Sequence, residues 1–327
     1  MIISRTPFRI SFAGGGTDLK KFYREDYGAV VSTTINKYMY ITVNPLSYFY
    51  KHKIRISYSK TEIIDNVDEI QHPVVRKALK LVGIDGGIEI ASMADIPAET
   101  GMGSSSSFTV GLLNALYSFQ GKSVSPEQLA QEACKIEISL LKEPIGKQDQ
   151  YAAAYGGLNY IQFNPGEDVF VNPLVLSREI KDKFNNHLMM FYTGITRKAN
   201  SILKRQNKNI ESKKQDLKKM RELAIEIRKV LDGGKELDRV GEILHQGWLL
   251  KKELTSGISN NSIDGYYNKA LEAGALGGKV LGAGGGGFIL LYVSPQKQQK
   301  VREVLGGLKE LSFKFEYQGS TIIYVGG

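Results

Sequence analysis

The sequence predicts an α+β fold in two domains, on three observations. At 327 residues the chain exceeds the ~100–200 residues usual for one domain. Strand-like and helix-like segments interleave without the steady strand–helix–strand period of a doubly wound sheet. Hydrophobic residues make up 42% of the chain, enough for each half to hold a core of its own. The division is expected near residue 185, giving domains 1–185 and 186–327.

The elements follow in order. FRISFAGG, GAVVSTTINKYMYITV and HKIRISYS are β-branched and aromatic runs separated by turn residues, and read as strands. HPVVRKALKLVG reads as a helix with Pro73 in its first turn. GIEIASMADIP is a strand running into a loop. SPEQLAQEACKIEISLL is a helix capped by Ser125, with Pro126 at its first position and Gln128 at its third, and it stops before Pro144. GGLNYIQF, DVFVNPL and HLMMFYTG return to strand character. Two helical segments are expected over roughly 197–232 and 236–256, then a helix near 264–274. A strand over GGKVLGAGGGGFILLYV, a helix over 295–309, and strands at FKFEY and STIIYVG complete the chain.

The formal charge is +9. Between Arg178 and Lys235, 16 basic residues face 7 acidic ones, an excess equal to that of the whole chain. Leu217, Met220, Leu223, Ala224, Ile227 and Leu231 recur there at helical spacing, so an amphipathic helix with a solvated basic face accounts for the charge. Attraction of polyanionic small molecules is the alternative, and nucleic-acid binding the more distant one, since no zinc-finger spacing, aromatic strand motif or Arg/Gly tract accompanies the charge. No stretch reaches the ~18 apolar residues of a membrane span. MIISRTPFRIS has no basic-then-apolar leader pattern, and a cytoplasmic protein without membrane partners is expected. The single cysteine, Cys134, sits at a helical position and reads as an inert buried thiol.

Three glycine motifs and one acidic pair carry the chemistry. In ETGMGSSSS (99–107), Gly101 and Gly103 free the backbone, and four serines open a helix whose N-terminal N–H groups favour anions. A serine-rich cap would look the same, and from these residues alone both readings stay open. In FAGGGTDL (12–19), a tight turn ends in Thr17 and Asp18, groups able to hydrogen-bond a polyol. GAGGGG (282–287) lies between apolar strand segments, where close approach of a backbone or a ligand is the reason for so many glycines. There is no GxxxxGK[ST] phosphate loop and no strand–GxGxxG–helix site. Glu137 lies on a helix and Asp149 in the loop beyond Pro144, 12 residues on. Such a pair suits a metal ligand and an acceptor for a hydroxyl proton.

TPFRISFAGGGTD, IPAETGMGSSSS and VLGAGGGG, in this order and at these separations, resemble the three motifs of the GHMP kinases (galactokinase, homoserine kinase, mevalonate kinase, phosphomevalonate kinase). The resemblance covers most of the chain. It implies a two-domain fold, with an N-terminal domain like a domain of ribosomal protein S5 and a ferredoxin-like C-terminal domain. ATP and acceptor would meet in the cleft between them. Within the family, GGGTD, GAVVSTTINKYMYITV, RISYSKTE, HPVVRKAL, GKQDQYAAAYGG and YTGITRKAN look most like kinases of D-glycero-D-manno-heptose 7-phosphate acting at the anomeric hydroxyl. L-fucose kinase domains are similar along parts of this pattern.

The resemblance implies ATP and Mg²⁺ as cofactors and a sugar phosphate as partner substrate; a homodimer is compatible with it. Gly101, Gly103, Ser104, Ser105 and Ser106 would line the triphosphate. Ser105 and Glu137 would hold Mg²⁺, with four adjacent serines leaving the choice of hydroxyl open. Asp149 matches the base toward the sugar hydroxyl, and Arg9 its basic partner. Gly15, Gly16, Thr17 and Asp18 match the sugar side, with glycines at 15 and 16 where galactokinases carry Glu-His. Arg197 is the candidate for the acceptor's own phosphate, since an Arg can hold two phosphate oxygens at once.

Overall fold

The computed structural model describes residues 1–195, 199–234 and 236–326. Thirteen strands among them form two sheets: β1 (Ile2–Ala13), β2 (Gly28–Pro45), β3 (Ile54–Ser57), β4 (Thr61–Ile64), β5 (Ile88–Ala94), β6 (Leu158–Phe163), β7 (Val169–Pro173), β8 (Leu188–Tyr192), β9 (Gly277–Val280), β10 (Phe288–Tyr292), β11 (Lys309–Glu310), β12 (Phe315–Glu316) and β13 (Thr321–Val325). The first sheet runs β13-β1-β2-β5-β3-β4, with β6 and β12 also pairing β2, and β7 pairing β6. Only β3 and β5 pair in parallel. The long β2 is the hub, because its β-branched run GAVVSTTI is buried throughout.

The second sheet is antiparallel in the order β11-β8-β10-β9. Numbered within the sheet this is 4-1-3-2, the ferredoxin-like arrangement. Its central strands β8 and β10 read as continuous apolar runs because both faces are covered: Leu188 and Met190 of β8 face the larger core, Met189 and Phe191 the smaller. The expected division at 185/186 falls between β7 and β8. The chain then returns, for β12 and β13 complete the first sheet. The second unit therefore comprises β8 to β11 and its helices, and not the chain's last strands.

Three expected elements differ. The helix over 197–232 is two, Ala199–Asn209 and Lys214–Gly233, with a turn that sinks Ile210 into the smaller core. The strand 277–293 is a hairpin, because Gly282, Gly284, Gly285 and Gly287 take positive φ and turn the chain. The helix expected over 295–309 ends at Val304. The basic helix Lys214–Gly233 buries Leu217, Met220, Ala224 and Ile227, while Arg221 pairs with Asp26 at 2.8 Å and covers the Tyr27 ring. Cys134 is buried, and burial pushes its thiol up.

Glu167 ties the loop after β6 to the segment Lys20–Arg24, accepting from Lys147 Nζ at 2.7 Å, Lys20 Nζ at 2.8 Å and the Tyr23 hydroxyl at 2.8 Å. Burial alone would raise its carboxyl, but the hydrogen bonds from Lys147, Lys20 and Tyr23 outweigh it and hold it at about 2. A depressed folded-state value means stability that is present above the ordinary value of 4.5 and lost as pH falls toward 2. Acid titration of the unfolding free energy is expected to show this loss in the native chain and to lack it in Glu167→Gln; identical curves would refute the assignment.

Candidate active site

The loop after β5 delivers the serines. Gly101 (φ +83°) and Gly103 (φ +74°) adopt left-handed conformations that only glycine takes without strain. Gly103 caps the helix Ser104–Phe119 without a side-chain hydrogen bond, so the first-turn N–H groups stay open to an anion. The four serines divide by role. The Ser107 hydroxyl donates to Pro7 O at 2.9 Å and fastens the helix to β1. Ser104 and Ser105 are accessible on the cavity wall, and Ser106 is buried.

Ser105 and Ser106 both donate to Glu137 at 2.8 Å, joined by Thr109 at 3.1 Å and Gln150 Nε2 at 2.5 Å. Burial raises the Glu137 carboxyl, and these four donors oppose the shift. Glu137 sits in a π-helical turn, Lys135–Leu140, that continues the helix Pro126–Cys134. One carboxylate beside hydroxyl oxygens is a hard donor set that fits Mg²⁺, an ion that completes its shell with phosphates and water. No cluster of three or more His, Cys, Asp or Glu able to hold a metal occurs among the described residues.

Arg9, from the middle of β1, reaches across this loop. Its Nε and Nη2 donate to the two carboxylate oxygens of Asp149 at 2.8 Å each, and its Nη1 donates to Gly101 O at 2.6 Å. One guanidinium thus fixes both the glycine–serine loop and the acid, with the bidentate geometry to which arginine is suited on Asp149. Asp149 lies in the first turn of a helix, Gln148–Tyr155, and not in the loop the sequence suggested.

The turn after β1, where the resemblance put the sugar, forms another part of the wall. Gly15, Gly16 and Asp18 line the cavity. Asp18 is buried and accepts from Gly16 N at 3.0 Å and Gln148 N at 3.2 Å; burial and the charge of Asp149 raise its carboxyl. Thr17 is a correction. Its hydroxyl donates to Gly14 O (2.7 Å) and Ala29 O (3.0 Å) and accepts from Ala29 N, within a fully buried turn, leaving nothing for a ligand. Arg197, expected at the acceptor's phosphate, lies outside the described residues.

Arg9, Asp149, the serines Ser104–Ser106 and the turn residues Gly15, Gly16 and Asp18 line one cavity of about 670 Å³ between the two sheets, with Glu137 buried behind the serines. Its far end is apolar: Met39, His72, Val74, Ala94, Ile96 and Phe108. His72 stacks on Phe108 at 4.9 Å, and burial lowers its proton affinity, so the ring is a neutral platform suited to a planar base. Sequence reasoning missed this end, whose residues come from four separated segments. It also missed two buried lysines on the wall, Lys251 and Lys279.

GAGGGG packs against backbone and also lines the cavity, through Gly282, Ala283, Gly284 and Gly286. A Cβ on Gly282 would stand 2.5 Å from Gly101 Cα, one on Gly101 2.5 Å from Leu281 O, and one on Gly287 2.3 Å from Thr100 O. The second and third glycine motifs therefore press backbone to backbone, joining the loops of the two sheets at the site.

Comparisons with known proteins agree with this architecture. The family described as GHMP kinases N terminal domain matches residues 68–157, and GHMP kinases C terminal matches residues 215–308. A D-glycero-alpha-D-manno-heptose 7-phosphate kinase of Campylobacter jejuni is 27% identical, over 96% of this chain and 97% of its own length. An L-fucokinase/L-fucose-1-P guanylyltransferase of Bacteroides fragilis is 26% identical over 93% of this chain and 36% of that longer protein. The crystal structure of a D-glycero-D-manno-heptose 1-phosphate kinase from Bacteroides thetaiotaomicron superposes with a TM-score of 0.82 at 25% identity, covering both chains fully. With both domains matched in order along one chain, and the glycine loops of the two sheets packed against each other, the chain belongs to the GHMP kinases and has their two-domain fold.

Proposed function

We propose that the protein is an ATP-dependent sugar kinase that phosphorylates the anomeric hydroxyl of D-glycero-D-manno-heptose 7-phosphate. The observation that carries this is the Arg9–Asp149 pair, which stands in one cavity between an open helix N-terminus and the acceptor turn Gly15–Asp18. The 27% identity to the heptose 7-phosphate kinase, end to end, supports the substrate.

In this reading the purine rests on the His72–Phe108 platform. The triphosphate lies against Gly101, Gly103, Ser104, Ser105 and Ser106, held by open backbone N–H groups and hydroxyls. Ser105 and Glu137 hold Mg²⁺, which when bound neutralises charge on the phosphates. Phosphoryl transfer asks the protein for position and charge more than for covalent chemistry. Asp149, held by two guanidinium N–H groups, orients the sugar hydroxyl and accepts its proton late, while the free face of Arg9 meets the moving phosphoryl group. Gly15 and Gly16 let the sugar approach the backbone, and Asp18 receives a sugar hydroxyl. Arg197 remains a candidate at the acceptor's phosphate.

A kinase of an unphosphorylated sugar such as L-fucose is the rival, because the fucokinase relative is 26% identical, scarcely less than the first. No helix among the described residues is long and apolar enough to cross a membrane. We place the enzyme in the cytoplasm, supplying sugar nucleotides for surface polysaccharides, with a homodimer as the assembly to test. The decisive assay measures ATP consumption against sugars and sugar phosphates, with phosphorus NMR locating the new ester. Heptose 7-phosphate is expected to give the highest kcat/KM and a new anomeric ester; a faster unphosphorylated sugar, or an ester elsewhere, would overturn the reading.

A further inference from the structure

Two buried lysines line the cavity with no carboxylate in ion-pair contact among the described residues. Lys251, on the helix Asp238–Leu254, donates from Nζ to Gly282 O, and to Val280 O at 3.4 Å. Lys279, on β9, donates to Phe12 O at 3.2 Å. They are 7% and 6% exposed, and no ion pair of either occurs among the described residues. An ammonium taken out of water against carbonyls alone is costly, and two in one cavity repel as well. Burial, with Arg9 close by, pushes Lys251 down to about 8; burial, with Lys251 and Arg9, pushes Lys279 well below the ordinary lysine value. A fold does not need such a pair for packing, where Met or Leu would serve better.

A second, independent feature lies in the same wall. Ser11 is 5% exposed and lines the cavity, yet its hydroxyl has no hydrogen-bond partner. Alternation along β1 puts Ser11 on the same face as Arg9, and the next residue, Phe12, supplies the carbonyl that holds Lys279. The unpartnered hydroxyl and two ammonium groups held by carbonyls, with no ion pair in contact, put donors and positive charge in one wall, an arrangement suited to an anion.

The nucleotide does not account for that anion. Its phosphates have the open helix N-terminus and the serine hydroxyls on the side of the first sheet. Both lysines come from the second sheet's unit, and the acidic groups whose charge reaches Lys251 are Asp18 and Asp149, on the acceptor side. We propose that Lys251, Lys279 and the Ser11 hydroxyl form the cradle for the phosphate monoester already carried by the acceptor, making the enzyme select a phosphorylated sugar over a free one. The proposal rests on the sugar-kinase reading above and assigns to two lysines of the second unit and a serine of the first sheet a role sequence reasoning gave to Arg197.

The test compares the wild type with Lys251→Met, Lys279→Met, Ser11→Ala and Arg197→Ala on heptose 7-phosphate and on the same heptose without phosphate. Each lysine variant is expected to lower the preference for the phosphorylated sugar by ~10- to 100-fold, the scale of a charged hydrogen bond, with a far smaller change in the KM for ATP. Ser11→Ala is expected to lower it by about three- to tenfold. Thermal midpoints of the lysine variants should match or exceed the wild type, since a buried charge without an ion pair is gone; a structural lysine would lower them. Calorimetric titration of heptose 7-phosphate without ATP reads the same site independently of turnover. Equal losses on both sugars, a raised KM for ATP in place of the lost preference, or loss of preference in Arg197→Ala alone would each overturn the cradle while leaving the substrate reading intact. A wild type with no preference for the phosphorylated heptose would overturn the substrate reading and the cradle together.

Discussion

Asp149→Asn is expected to lower kcat by ~10²-fold or more, the scale of losing a general base, while the affinity for an ATP analogue stays within a few-fold. The two effects separate because the hydrogen bonds of Asp149 reach the glycine–serine loop through Arg9, whose Nη1 is expected to keep donating to Gly101 O in the variant. The substitution also turns one of the two Arg9 bonds into a donor facing a donor, so a modest fall in thermal midpoint accompanies it. Steady-state kinetics with heptose 7-phosphate, calorimetric titration of a non-hydrolysable ATP analogue and a melting curve together check the expectation. Turnover at the wild-type rate would remove Asp149 from the mechanism.

Gly282→Ala is expected to act on stability and nucleotide binding at once. Gly282 has φ +67°, and its Cβ would press on Gly101 Cα. Left-handed strain costs about 1–2 kcal/mol and overpacking about 1–3 kcal/mol, so a loss of about 2–5 kcal/mol is expected, a large part of the stability of an ordinary domain. Because the displaced partner is the loop leading into Ser104, the KM for ATP should rise by tenfold or more. Gly101→Ala (φ +83°, Cβ 2.5 Å from Leu281 O) should reproduce both effects from the other side of the contact. Urea denaturation and ATP kinetics measure them. If Gly282→Ala changes neither, the glycine cluster is not needed for backbone approach.

The two substitutions probe different parts of the same design. Arg9 and Asp149 form a polar bridge within the first unit, whereas Gly101 and Gly282 form a steric one between the units. The cavity's cations follow this division: Arg9 belongs to the first sheet, and Lys251 and Lys279 to the second unit. A ligand that met both sets would stabilise the closed arrangement of the two units by mass action.

By itself the sequence determined the α+β character, the two-unit length, most of the strands and helices, and the three glycine motifs with their intervening acids. Those features are local: alternation sets strands, caps and prolines set helix starts, and runs of glycine and serine mark loops open to anions. Tertiary structure alone decided the rest. Whether Thr17 meets a ligand depended on the Ala29 backbone folding over its hydroxyl, and whether GAGGGG packs against backbone depended on a loop about 180 residues earlier in the chain. The return of β12 and β13 to the first sheet follows from pairing with strands near the other end of the chain. Lys251 and Lys279 read as ordinary members of a basic chain, since a lysine's role depends on what surrounds it. Only packing, which buries both ammonium groups against carbonyls in the wall that holds Arg9 and Ser11, removes water and turns common surface residues into an anion site.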